Sequence, residues 1–149
     1  MAAKNEAKVK FIADTEQFRE GIKNANTALA EQRSALKLNT AQMKLQGESA
    51  ELLTERNKIL KDELEANRQK QQAVNGQLEA AVRYYGENSK QAADLRVKLN
   101  NLKTQEAGIE KDIADTNTKL KAQSDAMGSA GDAANDLDDS LDDVGDAEK

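Results

Sequence analysis

Residues 49–85 read SAELLTERNKILKDELEANRQKQQAVNGQLEAAVRYY, with no proline and one glycine. Within it Leu53, Asn57, Leu60, Leu64, Asn67, Gln71, Val74, Leu78, Ala81 and Tyr85 follow one another in steps of four and three. A period of 3.5 residues is the spacing of a helical stripe that stays against a partner helix. A strand would need strict alternation, and none is present. A second stripe, Leu52, Ile59, Ala66, Ala73 and Ala80, recurs every seven residues on the same segment. Two stripes on one helix mean that it touches more than one neighbour.

The first stripe continues in both directions without losing phase. Upstream it runs back through Ala50, Gln46, Met43, Asn39, Leu36, Gln32, Leu29, Ala25 and Ile22 to Phe18. Downstream it runs through Asn88, Ala92, Leu95, Leu99, Leu102, Glu106, Ile109, Ile113, Thr116, Leu120 and Gln123 to Met127. Of these 32 positions 22 are apolar, a heptad signal sustained far beyond the length at which chance is a reasonable explanation. The side chains expected to form the interface are Phe18, Ile22, Leu29, Leu36, Met43, Leu53, Leu60, Leu64, Val74, Leu78, Leu95, Leu99, Leu102, Ile109, Ile113 and Leu120. The second stripe extends upstream to Leu38 and Leu45.

The fold class that follows is all-α, with long coiled-coil helices in up to three segments, about 15–46, 49–85 and 89–127. Gly47 before Ser49, and Gly86 before Ser89, each offer a helix stop followed by a serine N-cap. Segments of similar length, roughly 48 to 58 Å at ~1.5 Å per residue, suit antiparallel hairpins. The unbroken phase through both glycines suits a continuous helix instead, because a reversing turn has no need to preserve it. The pattern leaves both open, and with them self-association through the seam, a trimer included.

Residues 1–14 are expected to form an extended N-terminal arm. Val9 and Phe11 alternate with lysines in Lys8–Asp14, the one stretch that could be a short strand, and Asp14 or Thr15 would then cap the first helix. At the other end, residues 128–149 carry eight acids against Lys149, a net −7 that leaves +2 on the remainder of a chain whose total is −5. Leu137, Leu141 and Val144 recur there at helical spacing, so the segment reads as an acidic linker or weak helix.

Composition narrows the function. With no cysteine and no histidine, thiol chemistry, zinc–thiolate sites and the commonest general base are excluded. The acidic run Asp136–Asp143 lacks the loop glycine and the glutamate spacing of a calcium-binding loop. Carboxylate pairs such as Glu63 and Glu65, or Glu110 and Asp112, read as solvated surface charge with no raised pKa. Lys58, Lys61, Arg68, Lys70 and Arg83 are interleaved with acids, which argues against sequence-specific nucleic-acid binding. No run approaches the roughly 20 apolar residues of a membrane span. The expectation is a structural protein without catalytic, cofactor or metal sites and with no membrane segment. Tyr84 and Tyr85 read as a plug at a helix end. Ten seam positions are polar, Asn39, Asn57, Asn67 and Asn88 among them, and buried amides fix register while lowering stability.

Three stretches resemble the N-terminal region of tail tape measure proteins of long-tailed phages and prophages of Gram-positive bacteria. They are Val9–Phe18 with Gly21-Ile22-Lys23, then Leu36-Lys37-Leu38-Asn39 with Ala41-Gln42-Met43-Lys44, and Tyr84-Tyr85-Gly86-Glu87-Asn88-Ser89. The resemblance spans about 8–127. It implies a virion structural protein that lies in the tail lumen as an extended helical oligomer, sets tail length and templates tail-tube assembly. Its partners would be the tail-tube protein and tail assembly chaperones, met in the host cytoplasm during assembly. Two other roles need the same heptads: a cellular coiled-coil scaffold or arm, and a coiled-coil tether for a downstream hydrolase.

Overall fold

The computed structural model describes residues 2–126, and over them the chain is three helices: α1, Ala2–Gln46; α2, Ala50–Tyr85; α3, Lys90–Ala126. Among the described residues there is no strand. Met127 and the acidic segment 128–149 lie outside them.

Both connections form where the glycines and serines place them. Gly47 and Gly86 adopt positive φ, 86° and 101°, which an L side chain adopts only at a cost. Each amide still reaches back four residues, Gly47 to the carbonyl of Met43 (2.8 Å) and Gly86 to that of Val82 (3.0 Å). The next helix is then capped by a serine. Ser49 Oγ accepts from the amide of Leu52 (3.2 Å) and Ser89 Oγ from that of Ala92 (3.1 Å), each three residues on. Ser89 Oγ also donates to the Gly86 carbonyl (2.7 Å). Both sites therefore end one helix and start another.

The contacts divide the described residues into two compact units, one from residues 2–30 and 65–107, the other from residues 31–64 and 108–126. In the first unit the α2–α3 hairpin is joined by the opening half of α1. Val74, Ala81, Ala92, Leu95 and Leu102 form the core, with Phe11, Ile22, Leu78, Tyr85 and Leu99 packed against it. Phe11 meets Tyr85 with ring centroids 5.4 Å apart, and Phe18 lies so close over Gly76 that a Cβ there would fall 2.5 Å from its ring. Residue numbers rise along α1 as they fall along α2, so these segments are antiparallel. In the second unit the α1–α2 hairpin is joined by the closing half of α3. Leu60, Leu64, Ile109 and Ile113 form its core, with Leu36 against them.

The extended N-terminal arm is not found. Residues 2–14 are the opening turns of α1, and Thr15 is a mid-helix residue whose Oγ1 donates to the carbonyl of Phe11 (2.6 Å). Ala and Lys dominate this stretch and no helix breaker interrupts it, so helix propensity outweighs a brief alternation of Val9 and Phe11. Phe11 faces the core while Val9 remains 67% exposed, as one face of a helix requires.

The glycine turns and a continuous helix predict opposite responses to alanine. Inside a helix, Gly47→Ala and Gly86→Ala would each stabilise by about 1 kcal/mol. At positive φ each should destabilise by about 1–2 kcal/mol. Gly108, mid-helix in α3, has no heavy atom within 4 Å of the place a Cβ would occupy. It is the internal control, and Gly108→Ala should gain about 1 kcal/mol. Chemical denaturation of the three variants reads the signs directly.

Candidate functional site

The sixteen bulky seam residues all lie on inward-facing or partly covered positions of a single chain. Leu29, Leu53, Leu60, Leu64, Val74, Leu95, Leu102, Ile109, Ile113 and Leu120 are buried. Phe18, Ile22, Leu36, Met43, Leu78 and Leu99 are half-buried. Leu53 and Leu60 are fully excluded from water, and burying such a side chain contributes roughly 1.5–3 kcal/mol. In this form the seam is occupied by the chain's own helices.

The second stripe behaves differently along its length. On α2, Ile59, Ala66, Ala73 and Ala80 are buried and Leu52 is half-buried, so the helix has two covered faces. On α1, Leu38 and Leu45 are 62% and 87% exposed. The stripe is an interior feature of α2 and a surface feature of α1.

The polar seam positions are the chemical core of the interface. Asn39 Nδ2 donates to the carbonyl of Leu52 (2.9 Å), while its Oδ1 accepts from Arg56, which also donates to Thr40 Oγ1 (3.0 Å). Asn67 Nδ2 donates to the carbonyl of Leu102 (3.2 Å), and its Oδ1 accepts from Gln71 (2.6 Å). Asn57 Nδ2 donates to Asn117 Oδ1 (2.7 Å), yet Asn57 Oδ1 is buried without a hydrogen-bond partner. An unsatisfied buried oxygen of this kind costs about 1–3 kcal/mol. Thr116 returns its hydroxyl to the carbonyl of Asp112 (2.7 Å). Asn88 is exposed in the second connection and takes no part in the interior.

Glu63 corrects the sequence reading, which placed it on a solvated face. It is buried, and burial pushes its carboxyl above the ordinary value, partly offset by Arg33 at 3.6 Å and reinforced by the negative charge of Asp112. The signal was present in the sequence. Glu63 falls four residues after Ile59 and three before Ala66, on the second buried stripe of α2. Arg56, at the equivalent position one heptad earlier, is half-buried. Glu106 on α3 shifts the other way, since a 2.7 Å hydrogen bond from Arg68 holds its carboxyl below the ordinary value despite partial desolvation. Glu65, Glu110 and Asp112 are exposed.

Tyr84 and Tyr85 close one end of the first unit. Tyr85 packs into the core and Tyr84 donates to Asp14, whose carboxylate also faces Arg83 at 3.8 Å. Among the described residues no group of three or more His, Cys, Asp or Glu side chains could hold a metal ion, and no helix is long and apolar enough to cross a membrane.

Compared with known protein families, with characterised proteins and with solved structures, the chain matches none. The interface geometry and the seam pattern therefore carry the functional argument.

The two glutamates predict a pH dependence of defined sign. Glu63 binds its proton more tightly in the folded chain, so its contribution is fully present below its ordinary value of 4.5 and is lost as pH rises through the raised folded value. Glu106 contributes above 4.5 and loses that contribution as pH falls through its lowered folded value. Glu63→Gln, which keeps the shape without the charge, should be more stable than the parent at about pH 7. The difference should shrink toward pH 4 or so. Denaturation midpoints across that range check this, and a gap that stays constant with pH contradicts it.

Proposed function

We propose that this chain is a structural coiled-coil protein, the N-terminal part of a phage tail tape measure, whose seam closes on itself in the folded form and pairs with other copies in the assembled form. The observation that carries the reading is the heptad phase. Met43, Gln46, Ala50 and Leu53 keep steps of three, four and three across Gly47, and Ala81, Tyr85, Asn88 and Ala92 keep four, three and four across Gly86. The chain turns at both glycines. A turned chain gains nothing from preserved phase, whereas an unturned one depends on it. Residues 18–127 as one helix would extend about 165 Å at ~1.5 Å per residue.

The polar seam supports the same reading. Burying leucine and isoleucine holds each unit together, while Asn57, with its unpartnered oxygen, weakens the packing it sits in. A seam of that composition opens at less cost than an all-leucine one, and every residue it exposes is at the right register to pair again. In the assembled form the tail-tube protein would polymerise around the opened helices, with assembly chaperones holding them beforehand. A cellular scaffold or a hydrolase tether would use the seam but would measure nothing.

Length is therefore the property to test. In the phage or prophage that encodes the chain, an in-frame deletion of residues 50–119 removes ten whole heptads and leaves the phase intact. Tails measured by electron microscopy should be shorter by about 105 Å, at ~1.5 Å per residue. Tails of unchanged length contradict the tape measure reading.

A further inference from the structure

The exposed stripe of α1 in the second unit is left without a covering helix. Leu38 and Leu45, one heptad apart, stand 62% and 87% exposed with Ala41 exposed between them. Along one side of that stripe runs an open groove of about 510 Å³, lined by Arg33, Leu36, Lys37, Thr40, Ala41 and Lys44. The surface is thus apolar along its centre and basic along one edge. Two large leucines at heptad spacing beside Lys37 and Lys44, with Arg33 already facing Glu63, are an unusual thing to leave in water.

We infer that the acidic segment 128–149 of the same chain docks along this strip, seating Leu137, Leu141 and Val144 beside Leu38, Ala41 and Leu45. Three features select this occupant. The first is pattern: Leu137, Leu141 and Val144 are spaced i, i+4, i+7, which places them on one side of a helix. The second is charge. Asp136, Asp138, Asp139, Asp142 and Asp143 surround those residues in the sequence, and the segment's net −7 complements the cations of Lys37 and Lys44. The third is position. α3 ends at Ala126, where Lys119 contacts the carboxylate of Glu48 (3.0 Å) and Gln123 donates to the Glu48 carbonyl, in the connection that follows α1. Leu45 lies two residues before that connection. The ten residues from 127 to 137 can span up to about 33 Å, while Leu45 and Leu38 are only ~10.5 Å apart along the helix.

A second copy of the same strip fits poorly. Two-fold pairing would set Lys37 and Lys44 near their own equivalents, adding like-charge repulsion where the acidic segment supplies attraction. The inference stands whichever account of the chain's function holds, because it concerns only which surface the segment covers.

Residues 1–149 contain no cysteine, so Ser140→Cys in this whole chain gives a single site for a nitroxide label. Labelling isotopically enriched protein should broaden the amide signals of residues 37–45 selectively. Raising the salt from about 0.1 M to ~1 M shortens the screening length from about 10 to about 3 Å and should weaken the broadening. K37E/K44E, shown by circular dichroism to keep its helix content, should abolish it. A mixture of labelled unenriched and unlabelled enriched protein should show none. Absent broadening overturns the inference, as does broadening that survives charge reversal. Equal broadening in the mixed sample also overturns it, by assigning the contact to another copy.

Discussion

The burial of Leu53, Leu60, Leu64 and Val74 on α2 is what the remaining helices are arranged to achieve. A third of the residues are charged, aromatics amount to 3%, and the helices have little apolar surface beyond their stripes. Helices of this kind derive most of their stability from covering an apolar face rather than from intrinsic propensity. α2 has two such faces, so one partner is not enough. In the first unit the halves of α1 and α3 supply Phe11, Ile22, Leu95 and Leu102. In the second unit the other halves supply Leu36, Ile109 and Ile113.

The two faces of α2 are not chemically alike. Toward α3 the contacts are largely aliphatic, with Asn57–Asn117 and Asn67–Leu102 as polar positions within them. Toward α1, in the second unit, they include Arg56 with Asn39 and Thr40, and Glu63 with Arg33. An interface built on charged and amide groups depends on geometry and solvent more than an aliphatic one does, since breaking it exposes groups that water satisfies readily. Within that unit the α1–α2 contact is therefore the more charged of the two, and it is also the one closed by the Gly47 turn.

The local punctuation was legible in the sequence because its physics is local. Gly47, Ser49, Gly86 and Ser89 act through their own backbone and their nearest amides, and the helices end and restart there. What depended on tertiary context was less so. Residues 2–14 looked extended because Val9 and Phe11 alternate, yet α1 includes them and Phe11 rests on Tyr85. Glu63 looked exposed because glutamate usually is, and only its place on the second stripe betrays its burial. Leu38 and Leu45 continue that stripe in sequence and not in packing. The choice between turned and continuous helices could not be read at all, because one heptad phase is compatible with both. The resemblance to tape measure proteins implied an extended helical form, whereas the described chain turns at both glycines.

The seam closes within one chain at the Gly47 turn. Double electron–electron resonance between nitroxide labels on Ser34→Cys and Asp62→Cys, in protein diluted with unlabelled chain, measures it directly. Both positions are exposed and flank the Arg33–Glu63 pair. A closed hairpin, with helix axes about 8–10 Å apart, predicts a short distance, under roughly 25 Å with the label arms included. A main distance near 42 Å, the rise of 28 residues at ~1.5 Å each, would contradict it and make the continuous helix the resting form.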